Sequence, residues 1–251
     1  MGIDFDSNLG KLQRLMAESI AGTTRRNAIL NELEIQAGDN IIDIGCGAGH
    51  LLTHLAKAVG INGTIYGLDP SEAQIEQAQS RCSEFVNIKY IKRNADESQL
   101  RTDSCHSVTS TQALEYIPDV EPALDEITRI LKPGGVFVNV SILWDHLKFH
   151  GANEGLNRKI HDAFRAHCSH QMLPMELPGK LGRRGFKNIK DKSLAFVITR
   201  RDSNSPARYS EAVMANFALT QGVSAEAVSD WKFNLKKMSS KAGLALQASR
   251  S

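Results

Sequence analysis

The chain has 251 residues, of which 41% are hydrophobic and 23% charged, with 19 Gly and 7 Pro. This mixture excludes a wholly disordered chain, a collagen-like chain and a disulfide scaffold. Thirty Lys+Arg against 28 Asp+Glu leave +2, too mild a balance to point to nucleic acid or an anionic membrane, and 6% aromatics advertise no base-stacking surface.

The elements follow in chain order. Leu9, Leu12, Met16 and Ile20, then Ala28 and Ile29, stand at helical spacing, so residues 8–32 read as one or two helices broken near Gly22-Thr23-Thr24. A strand–helix alternation begins at residue 40. The run 40–45 is a short apolar strand ending in glycine. Residues 50–59 place Leu52, Leu55, Ala56 and Val59 on one helical face, and Gly60 stops the helix. Residues 64–69 form the second strand. Residues 71–82 form a helix with a Ser71 N-cap and an acidic first turn.

Residues 87–93 and 107–112 are strands three and four. Residues 118–131 are a helix with Val120, Leu124, Ile127 and Leu131 buried, terminated by Lys132-Pro133-Gly134-Gly135. Residues 136–143 are strand five, apolar enough to be central. Beyond it lie a His-rich, partly helical stretch to 178, a sixth strand from Asn188, and two helices in 207–243. The second of these carries a stripe of Ala225, Val228, Trp231, Leu235 and Met238. A seventh strand, if present, falls in 194–199.

This alternation predicts an α/β fold: a doubly wound, mostly parallel Rossmann-like sheet of six or seven strands, with added N-terminal, post-strand-five and C-terminal helices. We read 1–251 as a single domain. Residues 8–36 form a helical cap, 38–143 a cofactor-binding core, and 144–251 a substrate-side lid, edge strand and C-terminal helices.

Four cysteines, Cys46, Cys82, Cys105 and Cys168, form no CxxC pair. They read as reduced thiols in a cytoplasmic protein. The N-terminus carries charges where a signal peptide needs an apolar core, and no apolar run approaches a membrane span.

The most informative segment is Asp43-Ile44-Gly45-Cys46-Gly47-Ala48-Gly49, between a strand and a helix. Glycines there permit positive φ and let a ligand touch the backbone. The spacing is GxGxG, not the GxGxxG that seats a pyrophosphate. Asp43 would repel a pyrophosphate and suits a positively charged ligand. Asp69, ending strand two before Pro70, can accept hydrogen bonds from ribose hydroxyls. The alternative for Asp69 is a strand-end carboxylate that caps the following helix.

These residues, with Arg93-Asn94-Ala95-Asp96 after strand three, resemble the class I S-adenosylmethionine (SAM)-dependent methyltransferases over roughly residues 38–143. Within them the chain is similar to the small-molecule group that includes ubiquinone/menaquinone-biosynthesis methyltransferases. The resemblance implies SAM as cofactor and S-adenosylhomocysteine (SAH) as product. Gly45, Cys46, Gly47 and Gly49 would line its methionine and ribose parts, and Asp43 would organise the methionine amino group. Asp69 and Pro70 would hold the ribose, and Asn94 and Ala95 would face adenine. Gln112 would offer a backbone carbonyl beside the sulfonium. The family commonly has Asp where Asn94 stands, so that contact loses its charge.

Specialised subclasses fit poorly. Thr111-Gln112-Ala113-Leu114 lacks the D/N-P-P-Y/F motif of amino-group enzymes, and the carboxylates of metal-dependent catechol-type enzymes are missing. On the substrate side, Trp144, Asp145 and Phe149 are candidates to line a pocket. His146 and His150 are candidate general bases, since imidazole titrates near working pH. His146, His150, His167, Cys168 and His170 lack a compact ligand pattern, so no metal is assigned. The stretch Lys180, Arg183, Arg184, Lys187, Lys190 and Lys192 leaves an RNA (tRNA) methyltransferase as the alternative to a small-molecule enzyme, beside a non-catalytic SAM-binding module.

Overall fold

A computed structural model describes residues 15–147, 149, 152–194 and 206–247, with side chains to residue 237. The chain divides into two compact units. One comprises 25–143 and 169–192, the other 1–24, 144–168 and 193–251. The seam departs from the three-part division expected above: residues 169–192 group with the strands and not with a lid.

The first unit is built on a five-stranded sheet. Its strands are β1 (Asn40–Ile44), β2 (Thr64–Leu68), β3 (Ile88–Ile91), β4 (Cys105–Thr111) and β5 (Leu131–Val140). The order is β3-β2-β1-β4-β5, and every pairing is parallel. Strands buried on both faces need near-continuous apolar runs, and β1 supplies one interrupted only by Asp43: Ile41, Ile42, Asp43 and Ile44 are all buried. Successive residues point to opposite faces. Ile42 and Ile44 pack with Leu124, Ile127 and Leu173, whereas Ile41 packs with Ile29, Leu52 and Ile65.

Helices cover both faces. Helix α2 (Leu52–Val59) buries the four predicted residues Leu52, Leu55, Ala56 and Val59. Helix α3 (Glu72–Arg81) starts at Ser71, whose hydroxyl accepts from Gln74 N–H at 3.4 Å. Helix α4 (Glu121–Ile130) buries Leu124 and Ile127 beside Val120 and Leu131. Helix α6 (Leu173–Arg183) seats Leu173, Leu177 and Leu181 in the same core. The stretch to 178, read as lid, therefore ends in a sheet-covering helix.

Three further corrections follow. The described sheet has five strands, not six or seven, and residues 186–194 form no strand. The sixth strand from Asn188 is thus absent as far as 194, and residues 195–200 lie outside the described residues. Among the described strands β5 lies at the edge, not the centre, and its second half is only half-buried. Apolar content alone does not fix a strand's neighbours. Helix α1 (Ile20–Glu32) passes unbroken through Gly22. The break falls at Ser19, whose hydroxyl accepts from Gly22 N–H at 3.2 Å and donates to Met16 O at 2.6 Å. A Cβ on Gly22 would meet Ala17 O at 2.3 Å, so the glycine allows the bend to close and does not end the helix.

The second unit is helical among the described residues. It holds α5 (Glu154–Phe164), α7 (Pro206–Thr220) and α8 (Ala225–Gln247), besides the first residues of α1. Asn153 caps α5 by accepting from Gly155 and Leu156 N–H. The core is aromatic. His167 stacks on Phe164 with centroids 3.7 Å apart, and Trp144 and Phe217 meet that pair edge-on. Trp231, buried, donates its indole N–H to Asn157 Oδ1 at 2.8 Å. Of the expected α8 stripe, Val228, Trp231 and Leu235 are buried. Ala225 is exposed, because it stands at the first turn beyond the packed face. The side chain of Met238 lies outside the described residues.

Candidate functional site

The strand order reverses between β1 and β4, so the crevice at their carboxyl ends is where an open α/β sheet takes a ligand. The bend 45–49 lies there. Gly45, Gly47 and Gly49 have φ of 72°, 51° and 78°, a region L side chains rarely adopt. Gly45 and Cys46 N–H both donate to Leu68 O, at 2.8 and 3.0 Å, which turns the chain away from β1.

The glycines differ in purpose. A Cβ on Gly45 would stand 2.2 Å from Ala113 Cβ. One on Gly49 would press on Ala78 and Cys82 of the α3 segment at 3.0–3.1 Å. Those two glycines serve packing. A Cβ on Gly47 would meet only Gln74 Oε1, at 3.6 Å, so that Cα faces open space. Arg81 and Cys82 hold the far side of the bend, donating to Ala48 O and Gly49 O. Cys46, expected among the cofactor residues, buries its thiol 3.2 Å from where a Gly67 Cβ would lie. Burial, then the neighbouring Asp43, pushes that thiol far above its ordinary range. Its N–H is spent on Leu68 O and its carbonyl accepts from Gly49 N–H at 3.0 Å, so Cys46 serves the bend's own structure.

Two carboxylates flank the bend. Asp69 is 9% exposed and accepts from Gly47 N–H through Oδ2 and Ser71 N–H through Oδ1, both at 2.9 Å. It therefore ties the bend to the start of α3, as the capping alternative expects. Each carboxylate oxygen keeps a lone pair for a further donor. Burial raises its pKa, opposed by these two amides.

Asp43 differs. It is 2% exposed, and its Oδ1 is buried without a hydrogen-bond partner. Burial first, then the charge of Asp69, raises its pKa from 3.8 to about 8. A buried polar atom left unpaired costs about 1–3 kcal/mol, and an unpaired carboxylate more. The orphaned oxygens continue along the strand ends. Thr109 is in register with Asp43, and Ser110 with Ile44 and Asn139. The side-chain oxygens of Thr109, Ser110, Thr111 and Asn139 are likewise buried without partners. By strand alternation Asp43, Thr109 and Thr111 share one face of the sheet and Ser110 and Asn139 the other; on the first face the orphaned oxygens beside Asp43 suit a polar ligand bearing donors, and Asp43 suits a cationic one.

The remaining predicted residues fall unevenly. Ala95 is buried, whereas Asn94 and Pro70 are exposed. Gln112 has φ 50°, strained for a non-glycine, and is held by its N–H on Val140 O at 2.7 Å and by Arg25 on its Oε1. Sequence reasoning missed Glu115, which is fully buried in the 3-10 turn after β4 and accepts from Ser141 Oγ at 2.8 Å. The signal was a carboxylate in the otherwise apolar run Leu114–Ile117. It also missed Gln74, whose Oε1 is buried without a partner beside the bend.

The residues expected on the substrate side belong to the second unit and take structural places in it. Trp144 is buried in the aromatic core. Asp145 pairs with Arg165 at 3.0 Å. Phe149 packs edge-on against Trp231 at 5.3 Å. His146 is exposed, and His150 lies outside the described residues. His167 bonds Phe164 O through Nδ1 at 2.7 Å, and burial lowers its pKa to about 4. The basic stretch is largely paired. Lys180, Arg183 and Arg184 contact Glu121, Arg184 also contacts Asp125, and Lys192 contacts Glu32.

Sheet order, switch point and glycine bend define a Rossmann-like α/β protein whose ligand crevice lies over β1. Residues 35–195 match the family model of a methyltransferase domain, and the chain belongs to that family. It is 33% identical over 113 residues to demethylmenaquinone methyltransferase of Staphylococcus aureus, covering 45% of this chain and 47% of that protein. The chain spans less than half the length of the curated relatives it matches first. Among solved structures, YcgJ of Bacillus subtilis superposes with a TM-score of 0.57 at 20% identity, covering 82% of this chain and 86% of that one. Geranyl diphosphate methyltransferase in complex with SAM gives 0.53 at 18% identity, covering 70% and 69%. Both share the fold.

Proposed function

We propose that the chain is a SAM-dependent methyltransferase acting on a small molecule. The observation that carries this is the buried, partnerless Asp43 Oδ1 beside a bend whose middle glycine is open. That pairing asks for a cationic ligand close to backbone, and the amino-acid end of SAM has an ammonium group. Asp43 would hold that end, Asp69 the ribose, and Ala95 N–H with Asn94 the adenine. Gln112, fixed in a strained conformation at the end of β4, keeps its backbone at the crevice.

When bound, SAM supplies a methyl group activated on a positively charged sulfur. The chain's own task is then to position an acceptor in line and to exclude water. Glu115 with Ser141, and the side chains of Thr111 and Asn139, supply polar groups at the carboxyl ends of β4 and β5. These can orient an acceptor or take its proton.

A small acceptor is favoured over RNA because most of the basic stretch is spent on Glu121, Asp125 and Glu32. No described helix is long and apolar enough to cross a membrane. The scattered cysteines, none in a CxxC pair, favour a cytoplasmic location. The test is calorimetry with SAH, followed by methyl transfer from labelled SAM to a metabolite panel and to tRNA. Binding with transfer to a metabolite supports the proposal. Transfer to tRNA alone, or binding without any transfer, contradicts it.

A further inference from the structure

The second unit carries a groove that methyl transfer does not explain. Helices α7 and α8 are joined by the short turn at 221–224, so they run antiparallel. An open surface groove of about 730 Å³ lies along them. Its lining is graded along the hairpin. Leu219 and Ala225 flank the turn end, and Arg208 and Lys236 stand at the other. These ends are 11 residues apart on each helix, about 16 Å at 1.5 Å per residue.

Apolar groups occupy the turn end and the middle: Leu219, Val228 and Phe233. Leu219 and Phe233 are 44% and 65% exposed. Cations occupy the middle and the far end: Lys232, Lys236 and Arg208. Among the described residues none of the three has an ion pair or hydrogen bond, and no carboxylate lines the groove. On α8, residues 225, 228, 229, 232, 233 and 236 fall on one stripe at i, i+3, i+4 spacing, next to the face that buries Trp231 and Leu235. The stripe therefore lines one wall of the groove with its two lysines, joined by Arg208 of α7, toward the end away from the turn, and Phe233 between them.

We propose that this groove binds a free single-tailed amphiphile with an anionic oxyacid head. The head sits among Arg208, Lys232 and Lys236, and the tail runs over Phe233 and Val228 toward Leu219. The like charges at the mouth repel one another, and an anion relieves that repulsion while forming charge-assisted hydrogen bonds. The tail covers Leu219 and Phe233, which are otherwise left to water. This site stands whether or not the chain transfers methyl groups.

The test uses the full chain and dodecyl phosphate below its micelle concentration, followed by calorimetry. Saturable 1:1 binding is expected. Inorganic phosphate, which lacks the tail, and dodecyl maltoside, which lacks the charge, should bind at least tenfold more weakly. Arg208→Gln with Lys232→Gln and Lys236→Gln should weaken dodecyl phosphate roughly tenfold or more. These side chains are exposed, and an unchanged circular-dichroism spectrum and thermal melt check independently that the variant folds. Equal binding of the uncharged detergent, or unchanged affinity in the triple variant, overturns the proposal. So does binding to anionic vesicles without binding of the free amphiphile. A dimer that dissociates on Phe233→Asp and excludes the amphiphile also overturns it, assigning the groove to a second copy.

Discussion

Asp43→Asn separates charge from shape at the centre of the site. In the free protein, burial and then Asp69 raise the Asp43 pKa from 3.8 to about 8. At 1.36 kcal/mol per pH unit, that rise opposes ionisation by roughly 6 kcal/mol at most. Between about pH 4 and pH 8 the folded state keeps a proton that the unfolded chain has lost. The stability contributed by this group is therefore full near pH 4 and falls as pH rises toward 8. Asparagine does not titrate. Asp43→Asn should thus match the wild type near pH 4 and exceed it by several kcal/mol near pH 8.

Ligand binding should show the opposite preference. An ammonium beside Asp43 favours the carboxylate, so binding must release the proton. SAH affinity of the wild type should rise by up to about tenfold per pH unit from pH 6 to 8, then flatten, while the variant stays flat. Calorimetry at about pH 6.5, in buffers of different ionisation enthalpy, should count close to one proton released by the wild type and none by Asp43→Asn. A wild-type affinity that ignores pH, with no proton released, would refute this reasoning.

Other substitutions divide packing from recognition. Asp69→Ala should weaken SAH by about 1–3 kcal/mol, and it should also expose the Gly47 and Ser71 amides to hydrogen exchange. Unchanged affinity would remove the ribose assignment. Gly45→Ala, with a 2.2 Å clash on Ala113, should lower thermal stability by a few kcal/mol. Gly47→Ala should cost about 1–2 kcal/mol in stability from φ alone, yet lose SAH binding disproportionately, because its Cβ enters the ligand's space. For the second unit, His167 titrates near 4 when folded against 6.5 when free. Its stability contribution is present above about pH 6.5 and lost as pH falls toward 4, by roughly 3 kcal/mol at most. His167→Phe should flatten that acid limb in a circular-dichroism titration, and a persistent limb would assign it elsewhere.

The first unit was legible because local and global preferences agree there. Leu52, Leu55, Ala56 and Val59 can make nothing but one buried helical face, and Ser71 before an acidic turn can hardly fail to cap. The bend announced itself through glycines that only a turn needs. What each glycine is for was not legible, since Ala113 and Ala78 approach through tertiary packing. Ser19 was missed as the break in the N-terminal helices because a serine hydroxyl competing for backbone is a weaker sign than glycine. On the substrate side Trp144 and Phe149 are as suited to an aromatic core as to a pocket, and composition cannot tell one from the other.

The most direct measurement is a crystal structure of the chain with SAH. The ligand's amino group should lie within hydrogen-bond distance of Asp43 Oδ1, its ribose hydroxyls on Asp69, and its chain over the Gly47 Cα. SAH absent from that crevice at saturating concentration, with Asp43 still partnerless or capped by another side chain of the protein, would contradict it.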